Sequence, residues 1–184
     1  MRSRSLWWRW LVGLGLAVAL GPARLTAQSA SEPTLKAAFL YNFAKFAEWP
    51  VDAAPADPVT ICVLGDAVIA DALDETVKGR TIDGRKVVIS RVKPDAFRTC
   101  HVLYLTGLDG KRTQQVLDEL KTTPVLTVGD REQFAQSGGV AGLFIEQGRV
   151  RFAINVEAAL RARLRISSRL LSLAKIVKDE HAHP

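Results

Sequence analysis

Cysteine and histidine are the residues here best suited to covalent or metal chemistry, and they are few: Cys62, Cys100, His101, His181 and His183. A thiol nucleophile needs a histidine base within reach. Cys100-His101 supplies both types side by side in sequence, but adjacent strand residues point to opposite faces, so the pair does not meet. The two cysteines then read either as a disulfide or as two buried thiols, since cysteine is also a good core residue. A bond would close a loop of about 39 residues, a constraint of roughly 4 kcal/mol in the chain-entropy view. His181 and His183 have the spacing of a metal pair, yet no third ligand stands near them, and they read as part of a tail. Ser137-Gly138-Gly139 lacks the Gly-x-Ser-x-Gly pattern of a nucleophile elbow. No glycine-rich run with Lys-Ser/Thr follows a strand. The expectation is no catalytic residue, no metal and no cofactor; an exported hydrolase is the weakest reading.

Three predicted strands end in glycine: Leu64-Gly65-Asp66, Thr106-Gly107 and Val128-Gly129-Asp130. Ligands of open parallel sheets bind beyond the carboxyl ends of strands, and glycine lets them reach backbone amides. A small-molecule pocket at Gly65, Asp66, Gly107, Gly129 and Asp130 is therefore one expectation. The plainer one is that Gly-Asp merely turns the chain into its next element.

The elements that would carry these residues follow from periodicity. Thr34–Trp49 is predicted as a helix, capped by Thr34 and stopped by Pro50. Val59–Leu64, Lys86–Val92, Cys100–Leu105 and Val125–Val128 read as buried strands, with helices over Ala67–Val77 and Lys111–Leu120. Gly142–Glu146 and Arg149–Ile154 flank Gln147-Gly148, a hairpin signal. The chain then reads as helix from about Asn155 to Leu164 and again from Ser167 or Ser168 to about Val177. Such alternation predicts an α/β fold: a mixed, mostly parallel sheet with helices on both faces, then a C-terminal antiparallel hairpin and helices.

The N-terminal residues set the compartment. Arg2, Arg4 and Arg9 precede an apolar run, Leu11–Leu20, and a small-residue zone from Thr26 to Ser31. This is the pattern of a secretory signal peptide over residues 1–27, with cleavage expected between 27 and 31. No cysteine follows the run, which argues against a lipoprotein. The remainder, residues 32–178, suits a single domain followed by a tail at 179–184. Export also places both cysteines in a disulfide-permissive compartment. Residues 1–27 hold four arginines and no acid, so the formal charge of +6 owes most of its excess to them. A nucleic-acid partner loses its electrostatic basis.

On the first predicted helix, Leu35, Phe39, Leu40, Phe43, Phe46 and Ala47 span an apolar arc of roughly 200°, where a surface helix needs only about 100°. The helix is either wedged inside one domain or part of a dimer interface. Arg161, Arg163, Arg165, Arg169, Lys175 and Lys178 make the C-terminal stretch basic, a solvated face or one for an acidic partner. Phe39, Phe43, Phe46 and Trp49, with Arg161, Arg165 and Arg169, are the candidate contact residues for a partner or a second copy.

The residues carry a resemblance as well. Leu35-Lys-Ala-Ala-Phe-Leu-Tyr-Asn-Phe-Ala-Lys-Phe-Ala-Glu-Trp-Pro50, Ile61-Cys-Val-Leu-Gly65, Cys100-His-Val-Leu-Tyr-Leu105, Phe152-Ala-Ile-Asn-Val156 and Leu164-Arg-Ile-Ser-Ser-Arg-Leu-Leu-Ser-Leu-Ala174 occur in this order. Together they resemble the YfiR family of small periplasmic proteins. The resemblance implies a dimeric α/β regulator, not an enzyme. It would bind the periplasmic domain of a membrane-bound diguanylate cyclase and hold it inactive, lowering c-di-GMP and biofilm formation. It also implies capture by an outer-membrane lipoprotein in some members, and a disulfide where Cys62 and Cys100 stand. A second family disulfide brackets the region of Gly138 to Ile145, where this chain has no cysteine. A periplasmic small-molecule sensor or carrier is the alternative.

Overall fold

Helix α1 (Glu32–Phe46) opens the described part of the chain, which in this computed structural model comprises residues 30–51, 57–65, 67–93 and 96–180. The expected signal peptide, Asp66 and His181–Pro184 lie outside the described residues. Ser31, rather than Thr34, caps α1: its hydroxyl accepts from the Thr34 N–H, and Pro33 sits in the first turn, where a missing N–H costs nothing. The helix stops at Phe46, short of the expected Trp49. Ala47–Glu48 leaves it as a two-residue strand, β1, pairing antiparallel with Arg165–Ile166. A nonlocal backbone ladder thus ends the helix before Pro50 does.

The chain continues through β2 (Val59–Leu64), α2 (Ala67–Val77), β3 (Thr81–Ile82), β4 (Arg85–Arg91), a 3-10 turn (Phe97–Thr99), β5 (Val102–Leu105) and α3 (Gly110–Leu120). Then come β6 (Leu126–Gly129), α4 (Glu132–Gln136), β7 (Ala141–Glu146), β8 (Arg149–Asn155), α5 (Val156–Arg161), β9 (Arg165–Ile166), α6 (Ser168–Leu171) and β10 (Lys175–Val177). Eight strands form one sheet in the order β10-β8-β7-β6-β5-β2-β4-β3. The run β4-β2-β5-β6-β7 is parallel. β8 turns back antiparallel to β7, β10 lies parallel to β8, and β3 is antiparallel to β4. This is the mixed, mostly parallel α/β sheet that the alternation predicts.

Period-two alternation splits the core. Val59, Ile61, Val63, Val102, Tyr104, Leu126 and Val128 face one side, with α1, α2 and the C-terminal helices. Cys62, Leu64, Leu103 and Leu105 face the other, with Phe97, α3 and Phe134 of α4. The wide apolar arc of α1 is used inside the domain: Ala37, Leu40, Tyr41, Phe43 and Ala44 are buried against the sheet and α2. Phe43 meets Phe152 of β8 edge-on at 5.2 Å, and Phe39 meets the same ring at 5.6 Å.

The C-terminal region differs from expectation. α5 ends at Arg161, with Arg163 in the left-handed region at φ +59°, and α6 is a single turn capped by Ser167. The stretch up to Val177, expected to be helical, ends in the edge strand β10, with Lys175 opposite Ala153 and Val177 opposite Asn155. Beyond it, Asp179 bonds to Asn155 and Arg161, and the Glu180 N–H donates to Gln136. The first two residues of the expected tail are tied to the body.

Glycine allows the Phe134 ring its seat. A Cβ at Gly139 would lie 2.1 Å from the ring, and one at Gly129 2.3 Å from it. Gly139→Ala should therefore destabilise the domain by about 2 kcal/mol through overpacking, read as a lower urea midpoint at unchanged slope. Gly148→Ala tests a different cause: a Cβ there meets nothing within 4 Å, and the φ of +72° alone carries the cost.

Candidate partner-binding surface

The sulfur pair sits at the centre of the second core. Cys62 in β2 and Cys100, just before the neighbouring β5, form a disulfide with Cα atoms 5.8 Å apart. Both residues are fully buried. The bond lies far from solvent chemistry and closes the segment carrying α2, β3 and β4.

His101 goes elsewhere. Its imidazole is fully buried and meets the Trp49 indole edge-on at 5.4 Å. Nδ1 accepts from the Thr60 N–H at 3.1 Å, and Arg85 Nη2 stands 2.8 Å from Nε2. Arg85 in turn pairs with Asp57. Main-chain bonds from His101 to Thr60 and from Leu126 to His101 complete a hub joining β2, β5 and β6. The histidine has no cysteine to activate, and it ties strand ends together. Its position in the sequence, first after a cysteine, offered no signal of this role.

The glycines at the strand ends serve close packing. A Cβ at Gly65 would fall 1.9 Å from the Thr106 carbonyl oxygen, and one at Gly129 would fall inside the Phe134 ring. Asp130 accepts from the Thr106 hydroxyl at 3.1 Å and stands 3.7 Å from Arg131. Gly107, at φ +68°, turns the chain where nothing crowds it. Thr106 and Phe134 thus crowd the Cβ positions of Gly65 and Gly129, which gives each glycine a packing role.

The candidate contact residues separate into groups. Phe43 has no exposed surface and supports α1 from beneath. Phe39 is half-buried over Phe152. Phe46 is half-buried at the end of α1, with Arg169 of α6 over its ring at 6.0 Å and Lys45 at 5.8 Å. Arg165 lies beside it on β9, 3.8 Å from Glu48 across the two-stranded ladder. Trp49 is drawn away to His101, and its buried indole N–H has no acceptor among the described residues. Arg161 is held by Asp179 at 2.8 Å. Phe46 and Arg169 thus share one face, with Arg165 on the adjoining ladder; Trp49 and Arg161 do not join it.

Next to that face lies an apolar hollow of about 190 Å³, lined by Val156, Leu160, Leu164, Ile166 and Leu171, with Arg165 at its rim. Leu160 is 63% exposed, Leu173 70% and Ile176 52%. Single exposed leucines are ordinary, but these are drawn from one short C-terminal stretch that also supplies the hollow. The stretch is clasped to the body by charge. Lys175 bonds Glu132 at 2.6 Å, and that carboxylate holds its ammonium above the ordinary lysine value. The surface is apolar and basic-rimmed, suited to docking rather than to bond-making. Sequence patterning marked its arginines; it did not mark Leu160, Leu173 or Ile176, because a run read only as helix does not say which of its apolar residues stay exposed. A family model described as YfiR/HmsC-like matches residues 33–175, which take in α1 from its second residue through β9 and α6 and reach the first residue of β10.

Proposed function

The chain belongs to the YfiR/HmsC-like family, periplasmic and regulatory rather than catalytic, and from that premise we propose that it represses a membrane-bound diguanylate cyclase by binding its periplasmic domain. Repression would lower c-di-GMP and biofilm formation. The observation that carries the reading is the apolar hollow beside Leu160, rimmed by Arg165 and near Arg169 on Phe46. It offers desolvatable area with a positive border, the anatomy of a protein contact. The buried Cys62–Cys100 bond fits an oxidising compartment, as export by the N-terminal signal would require.

The mechanism is linkage. A protein that binds the inactive form of its receptor more tightly shifts the receptor by that difference in affinity and no more. Signals that loosen this protein, or an outer-membrane lipoprotein that competes for it, would release the cyclase. A homodimer would present two such faces. The carrier reading has less support, since Gly65 and Gly129 already have a packing reason in Thr106 and Phe134.

Deleting the gene should raise cellular c-di-GMP, and the mature protein should capture from detergent-solubilised membranes a protein with a GGDEF domain. Leu160→Asp, at a largely exposed site, should fold normally and lose that capture by about tenfold or more. Unchanged c-di-GMP in the deletion strain, or capture of soluble periplasmic proteins alone, would overturn the reading.

A further inference from the structure

One edge of the sheet is half covered. β3 and β4 join through Asp83-Gly84, both at positive φ as a type I′ hairpin turn requires. In such a turn Ile82 and Arg85 form the closing hydrogen-bonded pair, so the main-chain groups of Arg85, Val87, Ile89 and Arg91 point to the outer edge. The intervening residues point to β2, as the bond from the Val92 N–H to Val63 confirms for the same phase. β3 covers only Arg85 and Lys86. From Arg80 backward the chain turns into α2, with the Arg80 N–H bonded to Val77, and among the described residues no strand lies beside the edge at Val87 and Ile89.

A groove of about 500 Å³ lies along that free edge. Its lining includes the apolar residues Val77, Val87, Val88 and Ile89, and Val88 is 38% exposed. Its walls carry Lys78, Arg80 and Lys86. Among the described residues Lys78 and Lys86 have no ion pair, and Arg80 stacks over Tyr41 at 5.1 Å. The one carboxylate in the groove, Asp74, is engaged by Arg91 at 3.3 Å.

We propose that the outer edge of β4 receives an extended, acidic segment of a partner protein, which adds a strand beside Val87–Ile89 with its carboxylates against Lys78, Arg80 and Lys86. Main-chain bonds would supply affinity and alternate side chains specificity, as in strand addition generally. Lysines along a free edge deter pairing with another copy of the same positively charged edge. They do not deter an anionic strand, and the charge selects it. This edge lies at the opposite end of the sheet order from β10, so the inference is independent of the cyclase reading and goes beyond it.

The test uses a capped peptide of alternating glutamate and valine, followed by amide hydrogen exchange and NMR on the whole mature protein. Binding should slow exchange of the Val87 and Ile89 amides, while the same peptide N-methylated on its edge-facing amides, or with lysine for glutamate, should give no protection. Lys78→Glu with Lys86→Glu, both at exposed sites, should weaken binding by about tenfold while leaving the melting curve in place. Protection of these amides by the lysine peptide as well, protection that rises with protein concentration alone, or none with the acidic peptide would each overturn the proposal. The cyclase capture experiment would stand unaffected by any of them.

Discussion

Replacing Cys62 and Cys100 together by alanine lowers the unfolding free energy by about 4 kcal/mol, and the melting temperature by about 10 °C. The sulfurs are 38 positions apart in sequence, so their bond removes the loop-closure freedom of a long unfolded segment. That segment contains α2, β3 and β4, whose free edge gives it few partners on its outer side. Alanine is the informative replacement, because serine at two fully buried positions would add the cost of unpaired hydroxyls to the loss of the link. The double serine variant should accordingly lie below the double alanine variant. Hydrogen exchange should accelerate first in β4 and α2, while β6, β7 and β8 keep their protection. The measurement is thermal and denaturant unfolding with and without reductant. Wild type in reductant should approach the variant, and coincident curves in all four conditions would show that the bond adds nothing to stability.

The bond was within reach of the sequence because the strand holding Cys62 and the one that Cys100 opens needed only to be neighbours, and β2 and β5 are. The parallel sheet was equally legible: Val59–Leu64 and Cys100–Leu105 are too short and too apolar for anything but buried strands. What failed to show was set by distant partners. Ala47-Glu48 continues the helical spacing of α1, yet the ladder to Arg165–Ile166 extends it. Leu170, Leu171, Leu173 and Ile176 satisfy a helical period, yet Lys175–Val177 is drawn into the sheet by β8. Local periodicity cannot weigh a hydrogen-bond ladder offered by residues far along the chain. The candidate surface inherits this blindness: Ile176 is exposed on the edge strand β10, and Leu173 in the turn between α6 and β10. The strand-end glycines carry no such signal either way, since their sequence context is the same whether a ligand or a phenylalanine ring approaches them.

Asn155 is where that C-terminal arrangement is most exposed to a single substitution. The side chain is fully buried and makes bonds in three directions. Its Oδ1 accepts from the Ala158 N–H at 2.9 Å and caps α5, while Nδ2 donates to the Ala135 carbonyl at 2.9 Å and to Asp179. Asn155→Ala removes a cap worth about 1 kcal/mol and one buried bond to the Ala135 carbonyl, which keeps the Gly138 N–H at 3.4 Å, about 1 kcal/mol more, so a loss of about 2 kcal/mol is expected. Asn155→Asp separates the two roles. A carboxylate there still caps α5, and the helix N-terminus favours its charge, but it cannot donate to Ala135 and it faces the Asp179 carboxylate. Burial and that neighbour would raise the new carboxyl's pKa in the folded state above its unfolded value. The protonated form, which can donate, is the stable one, so this variant should approach wild-type stability near pH 4 and fall away as pH rises toward 7. A pH-independent deficit would assign the whole effect to shape. Both variants should speed exchange in β10 and expose the hollow beside Leu160, so receptor capture should fall with them even though Asn155 has no exposed surface with which to touch a partner.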